Sequence, residues 1–201
     1  MDGIDNANED ILFAMFQQGD SHAFAVYYKR YFNDLYSYGT NLGVESNQLK
    51  DLIQDIFYKV YSDRKRFSSG PHLKFYMLKV LRNAIFDLSR VSGRMVAEEN
   101  GMKFSLATTV LDNMMDEEYR RSLTQKIDRL LSVLTNRQRE AIWLRYMQEL
   151  EYEEIARMLG MNINGARKLV SRAMGRLKAA STDDSTFALF LALLSAGKIF
   201  F

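Results

Sequence analysis

The chain has no cysteine, which excludes disulfides and thiolate chemistry and fits an intracellular setting. It has a single proline, Pro71, in 201 residues. With so few breakers, and with 13 Phe, 11 Tyr and 11 Met, a largely helical chain is expected. Its two histidines, His22 and His72, stand apart from each other and read as surface or capping residues. No phosphate-cradling glycine loop, metal-ligand cluster or nucleophile elbow is found. An enzyme therefore finds little support, and there is no catalytic residue, metal or cofactor to assign. The opening stretch MDGIDNANED is acidic and polar and does not read as a secretory signal.

What is present supports a packed core: 47% of the residues are hydrophobic, enough for one medium domain or two small ones. The net charge of +2 hides an uneven distribution. Residues 1–63 carry ten acids and four bases, whereas residues 64–94 carry eight bases against Asp87 alone. Such a basic block attracts polyanions, and nucleic acid is the commonest of these in a cell. A solvated helix face is the other reading of the same charges.

Two helical blocks stand on either side of a different stretch. In the first, Gly19-Asp20-Ser21 reads as a turn with a cap, opening an aromatic helix from His22 to about Leu42. Gly43 ends it, and Ser46 is a candidate cap for the next helix. There Leu49, Leu52, Ile53, Ile56, Phe57 and Val60 recur at helical spacing, as a buried stripe does. RKRFSSGP, residues 64–71, reads as a loop, followed by a fourth helix to about Arg90. On that helix Met77, Leu81, Ala84 and Leu88 read as core, beside a face of Tyr76, Lys79, Asn83, Phe86 and Arg90. Residues 91–120 lack a sustained period and read as an extended or partly helical linker that includes the acids 116–118. A second block starts near Ser122, and Thr135-Asn136-Arg137-Gln138 is a capping-box pattern that starts a helix.

The segment from Tyr152 to Lys178 has the pattern of a helix-turn-helix. Ile155, Leu159, Met161, Ala166 and Leu169 fall at its core positions, and Ala156 is small where the helices cross. Gly160 falls in the turn, and Asn162 can cap the second helix. That helix carries Asn164, Arg167, Lys168, Ser171, Arg172, Arg176 and Lys178, side chains suited to phosphates and base edges. A plain helical hairpin with a polar surface is the bland alternative.

Both blocks together resemble the ECF (extracytoplasmic-function) sigma factors of the sigma-70 family. Residues 131–178 look like their region 4, with Arg139, Glu154-Ile155-Ala156, Leu159-Gly160 and Arg172-Ala173 as the specific features. The first block is similar to region 2. Gly19-Asp20, Ala23-Phe24, Tyr28 and Tyr31 precede Asp51-Leu52-Ile53-Gln54-Asp55-Ile56-Phe57, which fits the family pattern D-x-x-Q-(E/D)-x-F. Arg82-Asn83 with Asp87 and Arg90 resemble the promoter-melting helix. Departures are Thr135 for a common proline, Tyr76 for tryptophan, Leu81 for alanine and Gly165 for threonine or serine. The wording NINGARKLVSRAM is similar to sigma factors common in Bacteroidetes.

The resemblance implies an all-α protein of two small helical domains. Region 2 would span 8–92 as a four-helix domain, a linker 93–121 and region 4 122–181, with an apolar tail at 182–201. It implies a factor that binds core RNA polymerase, recognises −35 and −10 promoter elements and promotes melting. Asp51, Gln54, Asp55 and Tyr58, at i, i+3, i+4 and i+7 away from the apolar stripe, would dock on the β′ clamp helices. A solvated polar face has the same spacing. Ser68, Ser69, Gly70, Lys79, Arg82, Asn83, Phe86 and Arg90 would meet the −10 element. The seven polar residues of the second helix-turn-helix helix would meet the −35 element.

The implied partners are core polymerase, promoter DNA and an anti-sigma factor, with no small-molecule substrate. The implied place is the cytoplasm, with holding at the inner membrane through the anti-sigma factor. The tail FALFLALLSAGKIFF is short for a membrane span and carries Lys198, which favours packing on the protein or on that partner. A helix-turn-helix regulator that binds operator DNA without joining polymerase is the main rival. A membrane-associated interaction protein would rest on the tail alone.

Overall fold

The computed structural model describes residues 9–91, 103–105, 117–181 and Ala192. The tail and most of the linker lie outside the described residues. The described helices form two compact units, α1–α4 and α5–α8.

In the first unit, α1 is Glu9–Gln18, α2 Ser21–Asn41, α3 Ser46–Ser62 and α4 Gly70–Val91. Asp20 caps α2, its Oδ1 accepting from the Ala23 N–H at 2.7 Å. The expected cap at Ser46 is displaced by one residue: Glu45 accepts from the Asn47 and Gln48 N–H groups. The Ser46 hydroxyl instead pairs with Tyr36 at 2.9 Å. On α3 the side chains of Leu49, Ile53, Ile56, Phe57 and Val60 are buried as the spacing predicts, but Leu52, at the edge of the stripe, is only half-buried. The α4 core is Leu73, Phe75, Met77, Leu78, Leu81 and Ile85, while Ala84 and Leu88 are only half-buried. The segment read as a loop over 64–71 is shorter. Arg64–Arg66 form a 3₁₀ turn, and Gly70 and Pro71 already belong to α4. Proline is tolerated in a first turn, where its missing N–H would have no partner.

In the second unit, α5 is Glu117–Ser132, α6 Asn136–Ile142, α7 Tyr152–Leu159 and α8 Ile163–Ala180. The helix α5 therefore begins within the acidic run assigned to the linker, before Ser122. Thr135 and Gln138 form the expected capping box at the start of α6. That helix passes into a π-helical turn over Trp143–Met147, which buries Trp143 and Leu144 together. The linker residue Phe104 is fully buried, with its ring 6.0 Å from that of Trp143. Among the described residues no helix is long and apolar enough to cross a membrane.

Candidate nucleic-acid and polymerase interfaces

The α7–α8 pair is built by local chemistry. Gly160 ends α7 at φ +62°, where a side chain would strain the backbone. Asn162 Oδ1 accepts from the Gly165 N–H at 2.7 Å and starts α8. Arg137 donates to the Leu159 carbonyl at 2.5 Å and ties α6 to the turn. Ala166, Val170, Ala173 and Leu177 are buried at i, i+4, i+7 and i+11, which sets the inner face of α8. Ile155, Ala156 and Leu159 are buried as expected, but Met161 and Leu169 are half-buried and Val170 takes the inner position.

The opposite face of α8 presents Asn164, Arg167, Lys168, Ser171 and Arg172 at i, i+3, i+4, i+7 and i+8, all exposed. Lys178 continues that face, and Arg176 lies at its edge, donating to Gln138 Oε1 at 3.1 Å. Arg167 also lies over the Tyr152 ring at 5.6 Å. A polar, cationic stripe along the exposed face of a helix is what a DNA major groove admits.

On α3 the exposed face holds Asp51, Gln54, Asp55 and Tyr58, the last 75% exposed. An exposed tyrosine one turn beyond two carboxylates and an amide offers a protein partner both area and hydrogen bonds.

The basic block surrounds the start of α4. Ser68 is exposed and its hydroxyl pairs with His72 Nδ1 at 3.0 Å. Ser69 caps α4, its Oγ accepting from the His72 N–H at 3.3 Å. Asn83 and Arg90 are exposed, and Arg90 pairs with Asp87 at 2.5 Å. Arg82 lies over the Phe86 ring at 4.3 Å, and Lys79 near Phe75 at 6.0 Å. Tyr76 packs edge-on against the buried Phe67. Gly70, in contrast, is buried, and a Cβ there would stand 2.0 Å from Glu9 Oε1. It is a packing position and offers no surface to DNA.

The support beneath this loop has no signal in the sequence, where Tyr31 stands out only as a region 2 aromatic. Gln17 Nε2 donates to the Phe67 carbonyl at 2.8 Å and Tyr31 to the Gly70 carbonyl at 3.3 Å. Glu9 accepts from Tyr27 at 2.8 Å and pairs with Arg30 at 2.5 Å. Burial first, then the Glu9 hydrogen bond, pushes the Tyr27 hydroxyl far up. Burial, then the Glu9 charge, pushes Tyr31 up to about 12. Beside them a cleft of about 450 Å³ is lined by Ala14, Gln17, Gln18, Arg64 and Lys65. Arg64 there donates to the Tyr61 carbonyl at 3.0 Å and lies over its ring.

Residues 27–95 match the family model Sigma-70 region 2, and residues 124–177 match Sigma-70, region 4. Together the two take in more than half of the chain. The chain belongs to the sigma-70 family. It is an RNA polymerase sigma factor of the ECF type with regions 2 and 4, a transcription-initiation factor and not an enzyme. It is 24% identical to the ECF RNA polymerase sigma factor SigM of Bacillus subtilis over 152 residues, 76% of this chain and 91% of that one. It is 24% identical to the ECF RNA polymerase sigma-E factor of Haemophilus influenzae over 166 residues, 78% of this chain and 86% of that one. Among solved structures it is similar to the sigma factor RpoE in complex with the anti-sigma factor NepR from Bartonella quintana. That likeness has a TM-score of 0.54 and 26% identity, and covers 78% of this chain and 95% of that one. Region 4 thus carries the helix-turn-helix, and region 2 the α3 face, the basic 3₁₀ turn and α4.

Proposed function

We propose that this sigma factor joins core polymerase through α3 and reads its promoter with two separate surfaces. Asp51, Gln54, Asp55 and Tyr58 dock on the β′ clamp helices. The observation that carries this reading is that all four are exposed on one face, opposite the buried stripe of α3. A regulator that only binds operator DNA has no need of such a face. Ser68 and Ser69 with Asn83 meet the melted −10 strand, Lys79, Arg82 and Arg90 meet its phosphates, and Phe86 offers a stacking ring. On α8, Asn164, Arg167, Lys168 and Ser171 face −35 bases in the duplex, while Arg172, Arg176 and Lys178 reach phosphates. The domain limits 8–92 and 122–181 belong to the same reading, with the linker between them.

An anti-sigma factor is the expected antagonist, because the similar RpoE is solved with one. The chain then acts in the cytoplasm and is held at the inner membrane when that antagonist is membrane-bound. The NINGARKLVSRAM wording supports a Bacteroidetes-type origin. In-vitro transcription with purified core polymerase over a promoter library tests the reading. Promoter-specific starts that depend on this chain, and a loss of core affinity when Asp51, Gln54 and Asp55 are all changed to Ala, are expected. DNA binding equally strong without core, and a triple variant of unchanged core affinity, would favour the operator-binding regulator.

A further inference from the structure

The loop proposed to read the −10 element is short, and beyond the bonds of Ser68 and Ser69 to His72 it is held from α1 and α2. Between the 3₁₀ turn and α4 lie Phe67, Ser68 and Ser69, and the carbonyls on either side of the two serines, Phe67 and Gly70, are both held from below. Gln17 at the end of α1 donates to the first at 2.8 Å, and Tyr31 of α2 to the second at 3.3 Å. The Tyr27 and Tyr31 rings are stacked at 5.7 Å, so the Tyr31 hydroxyl is placed by its neighbour. Tyr27 is in turn fixed by Glu9, which it reaches at 2.8 Å. Glu9 is itself neutralised by Arg30, whose guanidinium also lies 5.5 Å from the Tyr27 ring centre. Glu9 Oε1 fills the space over Gly70, leaving no room for a Cβ.

We infer that Glu9, acting through Tyr27 and the close seat of Gly70, is a positioning residue for −10 recognition. With Gln17 it makes α1 the bed on which the reading loop lies. A carboxylate rather than an apolar side chain suits this place for two reasons. It can anchor one tyrosine and one arginine at once, and it faces the first turn of α4, where negative charge is favoured. The Phe67 and Gly70 carbonyls each take a donor from α1 or α2, so loosening that bed removes two of the bonds that set the serines relative to α4. Base readout by short polar side chains depends on such placement, since a hydroxyl misplaced by about 1 Å no longer makes its bond.

This inference rests on the loop being the −10 reader, and the experiment separates the two. In-vitro transcription with core polymerase and the full chain is run over two promoter libraries, one randomised at −10 and one at −35. Glu9→Ala is expected to flatten −10 preference by roughly fivefold, the net scale of one ordinary hydrogen bond, with −35 preference and core affinity unchanged. Gly70→Ala is expected to do the same or worse, because its new methyl collides with Glu9. The double variant Glu9→Ala with Gly70→Ala should regain preference relative to Gly70→Ala alone, a rescue that general destabilisation does not produce. If Ser68→Ala with Ser69→Ala shifts −10 preference while Glu9→Ala leaves it intact, the positioning role is overturned and the loop reading stands. If neither shifts it, both are overturned.

Discussion

The two surfaces proposed to read the promoter are positioned by bonds of different reach. The reading helix of region 4 is set by its neighbours along the chain: Gly160 makes the turn, and Asn162 caps α8 three residues on. The loop of region 2 adds to its local bonds with His72 two remote ones, spanning 50 and 39 positions, to Gln17 and Tyr31. Local construction gives a module that tolerates change elsewhere. Remote construction makes the loop answer to changes in α1 and α2.

Changes to the region 4 core should show this separation most strongly. Ile155 is fully buried, and Ile155→Ala should cost about 2–5 kcal/mol. The one tryptophan in the chain, Trp143, is buried in that unit, so its fluorescence follows region 4 unfolding, while far-UV circular dichroism follows both units. In urea the fluorescence transition should move and the rest of the dichroism stay. A common shift of both would break the comparison.

Region 2 should respond in turn to alkali. Tyr31 has a folded-state pKa raised from 10 to about 12, so its neutral form is the stabilised one. That contribution is complete below pH 10 and is lost as pH rises through about 12, up to about 2 kcal/mol. Tyr31→Phe should remove part of the fall in region 2 stability across this window, as seen in urea melts at stepped pH. A wild-type and variant falling in parallel would show that the hydroxyl over Gly70 carries no such load.

Smaller effects refine the local side. Gly160→Ala, at φ +62°, should lower region 4 stability by about 1–2 kcal/mol, and Asn162→Ala by about 1 kcal/mol. The same fluorescence melts read both. Least in energy, Arg172→Ala should weaken duplex binding evenly across −35 sequences and reduce the salt-dependence slope by about one. Affinity titrations at stepped ionic strength check it.

The same contrast explains what could be read from sequence. The helix-turn-helix was legible because its turn glycine, cap and crossing alanine lie within a few residues of one another. Even there the spacing points to Leu169 where Val170 is buried, since adjacent apolar residues fit either phase of a short stripe. The π-helical turn at Trp143–Met147 left no mark, because a run such as Ile142-Trp143-Leu144 is apolar in any helical register. The cap at Glu45 was missed because shorter side chains are the usual caps. Gly70 was read as loop surface, and its burial depends on Glu9, a partner 61 positions away that no local pattern reveals. The α3 face was legible because its spacing alone separates exposed from buried positions.

The most direct test of the account exchanges the two readers in one experiment. Ser68 and Ser69 are replaced in one variant, Asn164 and Arg167 in another, and both are assayed by transcription from promoters randomised at −10 and at −35. The account predicts that the loop variant changes preference at −10 with −35 preference kept, and that the helix variant does the reverse. Either variant shifting both elements, or the loop variant shifting −35 alone, would contradict it.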